Sequence, residues 1–128
     1  MDEGGMKMSV DKVKKFMKMV TTQLKNDESM QKFVKDWVYP YDGKIFQVET
    51  DGQKFYAVIT KDGEMTMHEG EYPSPDVIYR AKSDILLGIF TGKIPFWNPI
   101  KSWELFVIGA AHESVPLSEL ILQALMKM

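Results

Sequence analysis

The sequence predicts an α+β fold in one domain spanning 1–128, with helices leading, a strand meander in the middle, and strands alternating with apolar helices to the end. Three observations carry that expectation. Apolar residues recur at steps of three and four from Val10 to Leu24, the period of one helical face. Two Asp-Gly dipeptides, Asp51-Gly52 and Asp62-Gly63, separate runs that alternate apolar and polar, the pattern of hairpin-linked strands. The length of 128 residues fits one domain, and such a chain buries roughly two-thirds of the surface its unfolded form exposes.

Ser9 is a candidate N-cap for a first helix over Val10 to Lys25, with 1–8 expected to be flexible. Val10, Val13, Phe16, Met17, Val20 and Leu24 form its apolar face, and lysines occupy the other. Asn26-Asp27 ends it. Met30, Phe33, Val34 and Trp37 repeat the period until Pro40, since the residue before a proline avoids helical dihedrals. Strands are expected over Lys44–Thr50, Gln53–Thr60 and Glu64–Glu69. Pro73-Ser74-Pro75 interrupts regular structure, and Asp76 to Lys82 reads as a fourth strand. Asp76 has the character of a residue that pins the turn through its side chain.

Ser83 is a candidate cap for a helix from Asp84 to Phe90, which has no polar face beyond its first turn and is therefore expected to be buried nearly all round. Lys93 to Lys101 reads as an unusually apolar loop. A fifth strand is expected over Ser102–Ile108, and Pro116 suits the first turn of a last helix. That helix carries Leu117, Leu120, Ile121, Ala124, Leu125 and Met128 on one face.

The composition narrows the function classes. The net charge of -2 argues against nucleic acid as a partner. Lys7, Lys12, Lys14, Lys15 and Lys18 cluster near the N-terminus, which reads as the wet face of a helix or as a weak contact with anionic lipid. With no cysteine, thiolate chemistry, disulfides and Cys-based metal sites are excluded, and a reducing cytoplasm is the expected location. The acidic start Met1-Asp2-Glu3-Gly4-Gly5 lacks the apolar core of a signal peptide. The ten methionines suit an irregular core or a compliant apolar lining.

Catalytic patterns are thin. No Gly-rich phosphate loop occurs, no cofactor is implied, and neither His68 nor His112 sits in a metal-ligand spacing. His112-Glu113-Ser114 invites comparison with a triad, but such residues rarely meet in space when they are sequence neighbours. No catalytic or metal-binding residue is assigned, and the chain is not expected to be an enzyme. Trp97 and Trp103 are also candidates for an exposed anchor on a membrane or a protein partner.

From Pro75 onward the chain resembles the sterol carrier protein 2 (SCP2-like) family. The residues that carry the resemblance are Pro75-Asp76-Val77, the alternating Tyr79 and Ala81, Ser83-Asp84 opening an apolar helix, and Thr91-Gly92-Lys93 closing it. A strand ending at Gly109 and an apolar last helix follow in the same order. The pattern departs at Lys101-Ser102 and Ala110, where the family has a glycine and an acidic residue, and in the bulk of Phe96 and Trp97. The resemblance implies a five-stranded, mostly antiparallel sheet with helices packed on one face and an apolar tunnel between them.

It also implies non-covalent binding, and transfer, of a fatty acid, sterol or acyl-CoA. Leu86, Ile89, Phe90, Phe96, Trp97, Trp103, Leu117, Leu120, Ile121 and Leu125 are the candidate lipid-binding residues. The expected partners are an apolar lipid and, transiently, a membrane surface. The competing expectation is a non-enzymatic interaction domain with a solid core and no ligand, which uses the apolar last helix and the Trp97 region as an interface with a partner protein or as a homodimer.

Overall fold

A computed structural model describes residues 3–127, with side chains from Ser9 onward. The elements in chain order are α1 (Glu3–Lys25), α2 (Glu28–Val38), β1 (Gly43–Thr50), β2 (Gln53–Thr60), β3 (Met65–Glu69), β4 (Val77–Ala81), α3 (Ser83–Phe90), α4 (Trp97–Lys101), β5 (Leu105–Gly109) and α5 (Ser114–Met126). A single 3-10 turn, Ala111–Glu113, leads into α5.

The five strands form one open sheet in the order β3-β2-β1-β4-β5. The hairpins are antiparallel, as local turn chemistry requires. Asp51 and Gly52 both take positive φ, 48° and 80°, which matches the right-handed twist of the strands they join. At the next turn Gly63 has φ 81°, inside a loop closed by Thr60, whose N–H donates to the Glu64 carbonyl at 2.9 Å. Only β1 and β4 run parallel. Their junction is pinned by Asp76: its carboxylate accepts from the Ile45 N–H at 2.7 Å, and its carbonyl accepts from the Ala110 N–H at 2.9 Å. The turn-pinning role expected of Asp76 is thus the one it performs, and it ties β1, β4 and β5 at one end.

Register places Phe46, Val48, Phe55, Ala57, Ile59, Val77 and Tyr79 on one face, where all are buried. Against it lie Val10, Val13, Val20 and Leu24 of α1, Met30, Val34 and Val38 of α2, Leu86 of α3, and Leu120 and Ala124 of α5. The opposite face is more polar. Gln47 is nonetheless buried there, accepting from the Tyr72 N–H at 2.8 Å and donating to Glu49 at 3.0 Å. Helices therefore cover one side of a mostly antiparallel sheet, as predicted.

Several local expectations are corrected. Helix α1 begins at Glu3, so Ser9 lies within it and does not cap it. Of the stretch 1–8, the first two residues lie outside the described residues, and the backbone of 3–8 is helical. Lys82, not Ser83, occupies the cap position of α3, and the Ser83 hydroxyl instead donates to the Asp51 carboxylate. The expected loop 93–101 contains the short helix α4, with Pro99 in its first turn, where no N–H is needed. That helix delays β5 to Leu105, because Glu104 is still turning, its N–H on the Pro99 carbonyl at 2.8 Å. Lys12, Lys15 and Lys18 do form an exposed face of α1, Lys14 pairs with Glu69 at 2.9 Å, and the Lys7 side chain and Met128 lie outside the described residues.

Asp27 caps α2, accepting from the Met30 N–H at 3.0 Å and the Ser29 hydroxyl at 2.6 Å. The Lys127 ammonium also lies against it and is the leading cause holding its carboxyl well below the usual carboxylate range, with Ser29 and Met30 adding to it. A depressed folded-state pKa stabilises the fold above the ordinary carboxylate range and loses that stabilisation as pH falls through it. Thermal melts should therefore show Tm falling below pH ~4. In Asp27→Asn, which keeps a capping oxygen, that part of the slope should flatten.

Candidate functional site

Between the buried face of the sheet and helices α1, α3 and α5 lies a cavity of about 260 Å³. Its floor is sheet: Phe46, Val48, Ala57, Ile59, Met65 and Tyr79. The period-2 alternation of the strands puts all of these on one side. One wall is α1, through Phe16, Met17 and Val20. The Phe16 ring stacks on Phe90 of α3 with centroids 5.3 Å apart. The other wall is α5, whose Leu117, Ile121 and Leu125 recur at four-residue steps along a single stripe. The cavity reaches the surface where Gly92, Ser118 and Leu122 line it, since all three are exposed.

The lining holds no charged side chain among the described residues; its polar members are Tyr79, Ser114 and Ser118. The Tyr79 hydroxyl and the Ser114 hydroxyl share a hydrogen bond of 2.6 Å, and both residues are buried. Burial pushes the Tyr79 phenol up to about 12, with the nearby Glu113 carboxylate adding to the shift, so the phenol is neutral across the physiological range. Glu113 itself pairs with Lys44 at 2.9 Å. Lys44 also lies 4.1 Å over the Tyr41 ring.

Of the ten residues chosen from the sequence, Leu86, Ile89, Phe90, Phe96, Leu117, Ile121 and Leu125 line this cavity. Three do not. Leu120 is fully buried in the solid part of the core with Ala124, one position round the helix from the lining stripe. Trp97 is 67% exposed at the start of α4, with its ring edge toward Phe96, centroids 5.7 Å apart. Trp103 is 77% exposed, two residues past the end of α4 and with a positive φ of 63°. Both tryptophans owe their exposure to a helix the sequence did not signal.

The lining residues missed were those of α1 and the meander, Tyr79 of β4, Leu105 of β5, Gly92 and Ile94 after α3, and Ser114, Ser118 and Leu122 of α5. Phe16, Met17 and Val20 were visible as an apolar stripe but carried no sign that part of it faces space.

The catalytic pattern dissolves in three dimensions. His112 is exposed and 3.5 Å from Glu113, while Ser114 bonds Tyr79, so the three do not form a relay. His68 stacks on Tyr56 on the outer face of the sheet, with centroids 5.1 Å apart. No group of three potential metal ligands converges among the described residues, and no helix among them is long and apolar enough to cross a membrane.

This arrangement, an open mixed sheet roofed on one side with an apolar space beneath the roof, defines a class that recurs among solved structures. A ubiquinone synthesis protein, UbiJ-SCP2, superposes with a TM-score of 0.68 at 16% identity, covering 88% of this chain and 94% of its own. The sterol carrier protein domain 2 of Helicoverpa armigera gives 0.62 at 20% identity, covering 89% of this chain and 88% of its own. The sterol carrier protein 2 like 2 protein of Aedes aegypti gives 0.54 at 18% identity, covering 88% of this chain and 96% of its own. No protein-family model matches the chain. No curated protein matches it either. The chain has the fold of sterol carrier protein 2.

Proposed function

We propose that the protein binds an apolar lipid non-covalently in the cavity under α5 and passes it on, with no covalent chemistry. The observation that carries this reading is the cavity itself: about 260 Å³ of space walled mainly by aliphatic and aromatic side chains, with no charged side chain in its lining among the described residues. Filling it removes apolar surface from water at about 0.8 kcal/mol per methylene. A dozen methylenes contribute on the order of 10 kcal/mol against an association cost of roughly 4–15 kcal/mol. The balance is modest affinity, which suits a carrier that must release its cargo. The volume lies just below the ~300–1,000 Å³ of sites that enclose a whole drug-sized ligand, so part of a long lipid would extend through the mouth at Leu122. The fold shared with sterol carrier domains supports the same reading. A cysteine-free chain suits the cytoplasm.

Cargo exchange places the mouth against a lipid surface. Exposed Trp97 sits beside the lining residue Phe96, and Lys93 and Lys101 are the only charges from Ile85 to Trp103. An amphipathic ring flanked by cations is suited to an anionic bilayer interface. Trp97→Ala should leave equilibrium affinity unchanged and slow transfer from anionic vesicles severalfold, as read by stopped-flow fluorescence.

The equilibrium test uses a dansylated alkyl chain as acceptor and Trp37 as donor. The Trp37 ring lies 5.6 Å from that of Phe46, which floors the cavity. Replacing Trp97 and Trp103 by Phe leaves Trp37 as the sole tryptophan of the three. Saturable transfer at micromolar probe, reversed by unlabelled lipid, supports the reading; absence of saturable transfer, with no competition by fatty alcohols, fatty acids, sterols or acyl-CoA, rejects it. A second reading, a dimer through α5, rests on exposed Val115, Leu122 and Met126, and light scattering at varied concentration would detect it.

A further inference from the structure

The cavity wall carries a polar mark that distinguishes among lipids. Two hydroxyl groups, Tyr79 and Ser114, share one hydrogen bond of 2.6 Å. Two hydroxyls hold two protons, and one bond uses one. The second O–H has no further protein partner among the described residues, and both residues line the cavity. A buried donor without a partner is costly, so an acceptor in whatever fills the space would relieve that cost. Its best complement is an oxygen that accepts a hydrogen bond.

The surrounding charges decide what kind of oxygen. Among the described residues the lining contains no cation to neutralise a carboxylate. Behind the hydroxyl pair stands Glu113, adjacent to Ser114 and itself buried. Lys44, its partner at 2.9 Å, is committed to it and to the face of Tyr41. A carboxylate beside Tyr79 would thus be desolvated, unpaired and close to a like charge, each of which opposes its ionised form. A hydroxyl or carbonyl oxygen meets none of these penalties.

We infer that Tyr79 and Ser114 form a head-group subsite selecting uncharged lipids with a single hydroxyl or carbonyl oxygen over lipids with a carboxylate. The inference rests on the lipid-binding reading and narrows its ligand class. Ser118, one turn along α5 and exposed at the mouth, donates to the Ser114 carbonyl at 2.7 Å, so its hydroxyl proton is already used.

The test is displacement of the dansylated alkyl chain by dodecanol and by dodecanoate at neutral pH, in the native protein and two variants. Dodecanol should displace the probe at no more than one-tenth of the dodecanoate concentration. Because an acid is also more water-soluble, the variants carry the decision. Tyr79→Phe, which keeps the ring, should weaken dodecanol about three- to tenfold relative to dodecanoate, each compared with the probe's affinity measured in the same variant. Glu113→Gln, which frees the Lys44 charge, should strengthen dodecanoate at least threefold and leave dodecanol where it was. Equal displacement by the two lipids, or a dodecanol affinity indifferent to both Tyr79→Phe and Ser114→Ala, overturns the head-group subsite while the carrier reading stands. Failure of the probe to bind the native protein overturns both.

Discussion

Ala57→Phe should all but abolish lipid capture while leaving the protein folded. Ala57 lies mid-strand in β2, opposite Phe46 on one side and Met67 on the other, and its methyl is part of the cavity floor. A phenyl ring placed there enters the cavity and takes the room of about four methylenes. At about 0.8 kcal/mol each, that is roughly 3 kcal/mol of lost binding, or on the order of a hundredfold in Kd. Overpacking a solid core costs about 1–3 kcal/mol, and the cavity lets the ring enter at the low end of that range. Circular dichroism melts should therefore stay near the native Tm while the fluorescence titration loses its saturable phase. If affinity survived, the lipid would be held elsewhere.

Gly109→Ala is expected to be the most damaging single-methyl change. Gly109 ends β5 with φ 102°, a backbone region that side chains rarely adopt, and a Cβ there would lie 2.4 Å from the Asp76 carbonyl oxygen. That oxygen is fixed, because it accepts from the Ala110 N–H at 2.9 Å within the same junction. Strain at such a dihedral costs on the order of 1–3 kcal/mol, and a clash with pinned backbone adds to it, so the total should exceed about 3 kcal/mol. Gly92→Ala separates the two contributions: φ there is 78°, but a Cβ would meet nothing within 4 Å. Its loss should stay near 1–2 kcal/mol. Chemical denaturation of both variants checks the difference, and equal losses would mean that the junction yields.

The strands and helices were legible because each depends on its neighbours in sequence. Asp51-Gly52 announces a turn that needs two positive φ values, and the stripe from Val10 to Leu24 announces a helical face that needs burial. The parallel pairing of β1 with β4 was not legible, since the residues between Thr50 and Val77 say nothing about which edge β4 joins. Helix α4 was hidden by one proline before it and one within it. Pro95 and Pro99 read as loop residues, yet Pro99 sits in the first turn, where a helix tolerates it. That one omission displaced Trp97 and Trp103 from the surface to the predicted cavity wall.

The cavity was half legible for a related reason. Four-residue spacing on α5 picks out Leu117, Ile121 and Leu125, but spacing alone does not distinguish a side chain facing space from one facing another side chain. Leu120 and Ile121 are equally apolar neighbours, and only the packed helices decide that the first is core and the second is lining. Tyr79 and Ser114 were invisible as a pair because 35 positions separate them and only the packing of mid-β4 against the start of α5 brings their hydroxyls together.

The most direct test of the central claim is a methyl-detected NMR titration of the protein with dodecanol. The account predicts saturable shifts at Met17, Met65, Leu86, Ile89 and Ile121, which line the cavity from four different elements, and none at Leu24 or Met30, which are fully buried but are not part of the lining. Shifts confined to exposed Leu122 and Met126, or spread evenly over the core, would contradict it.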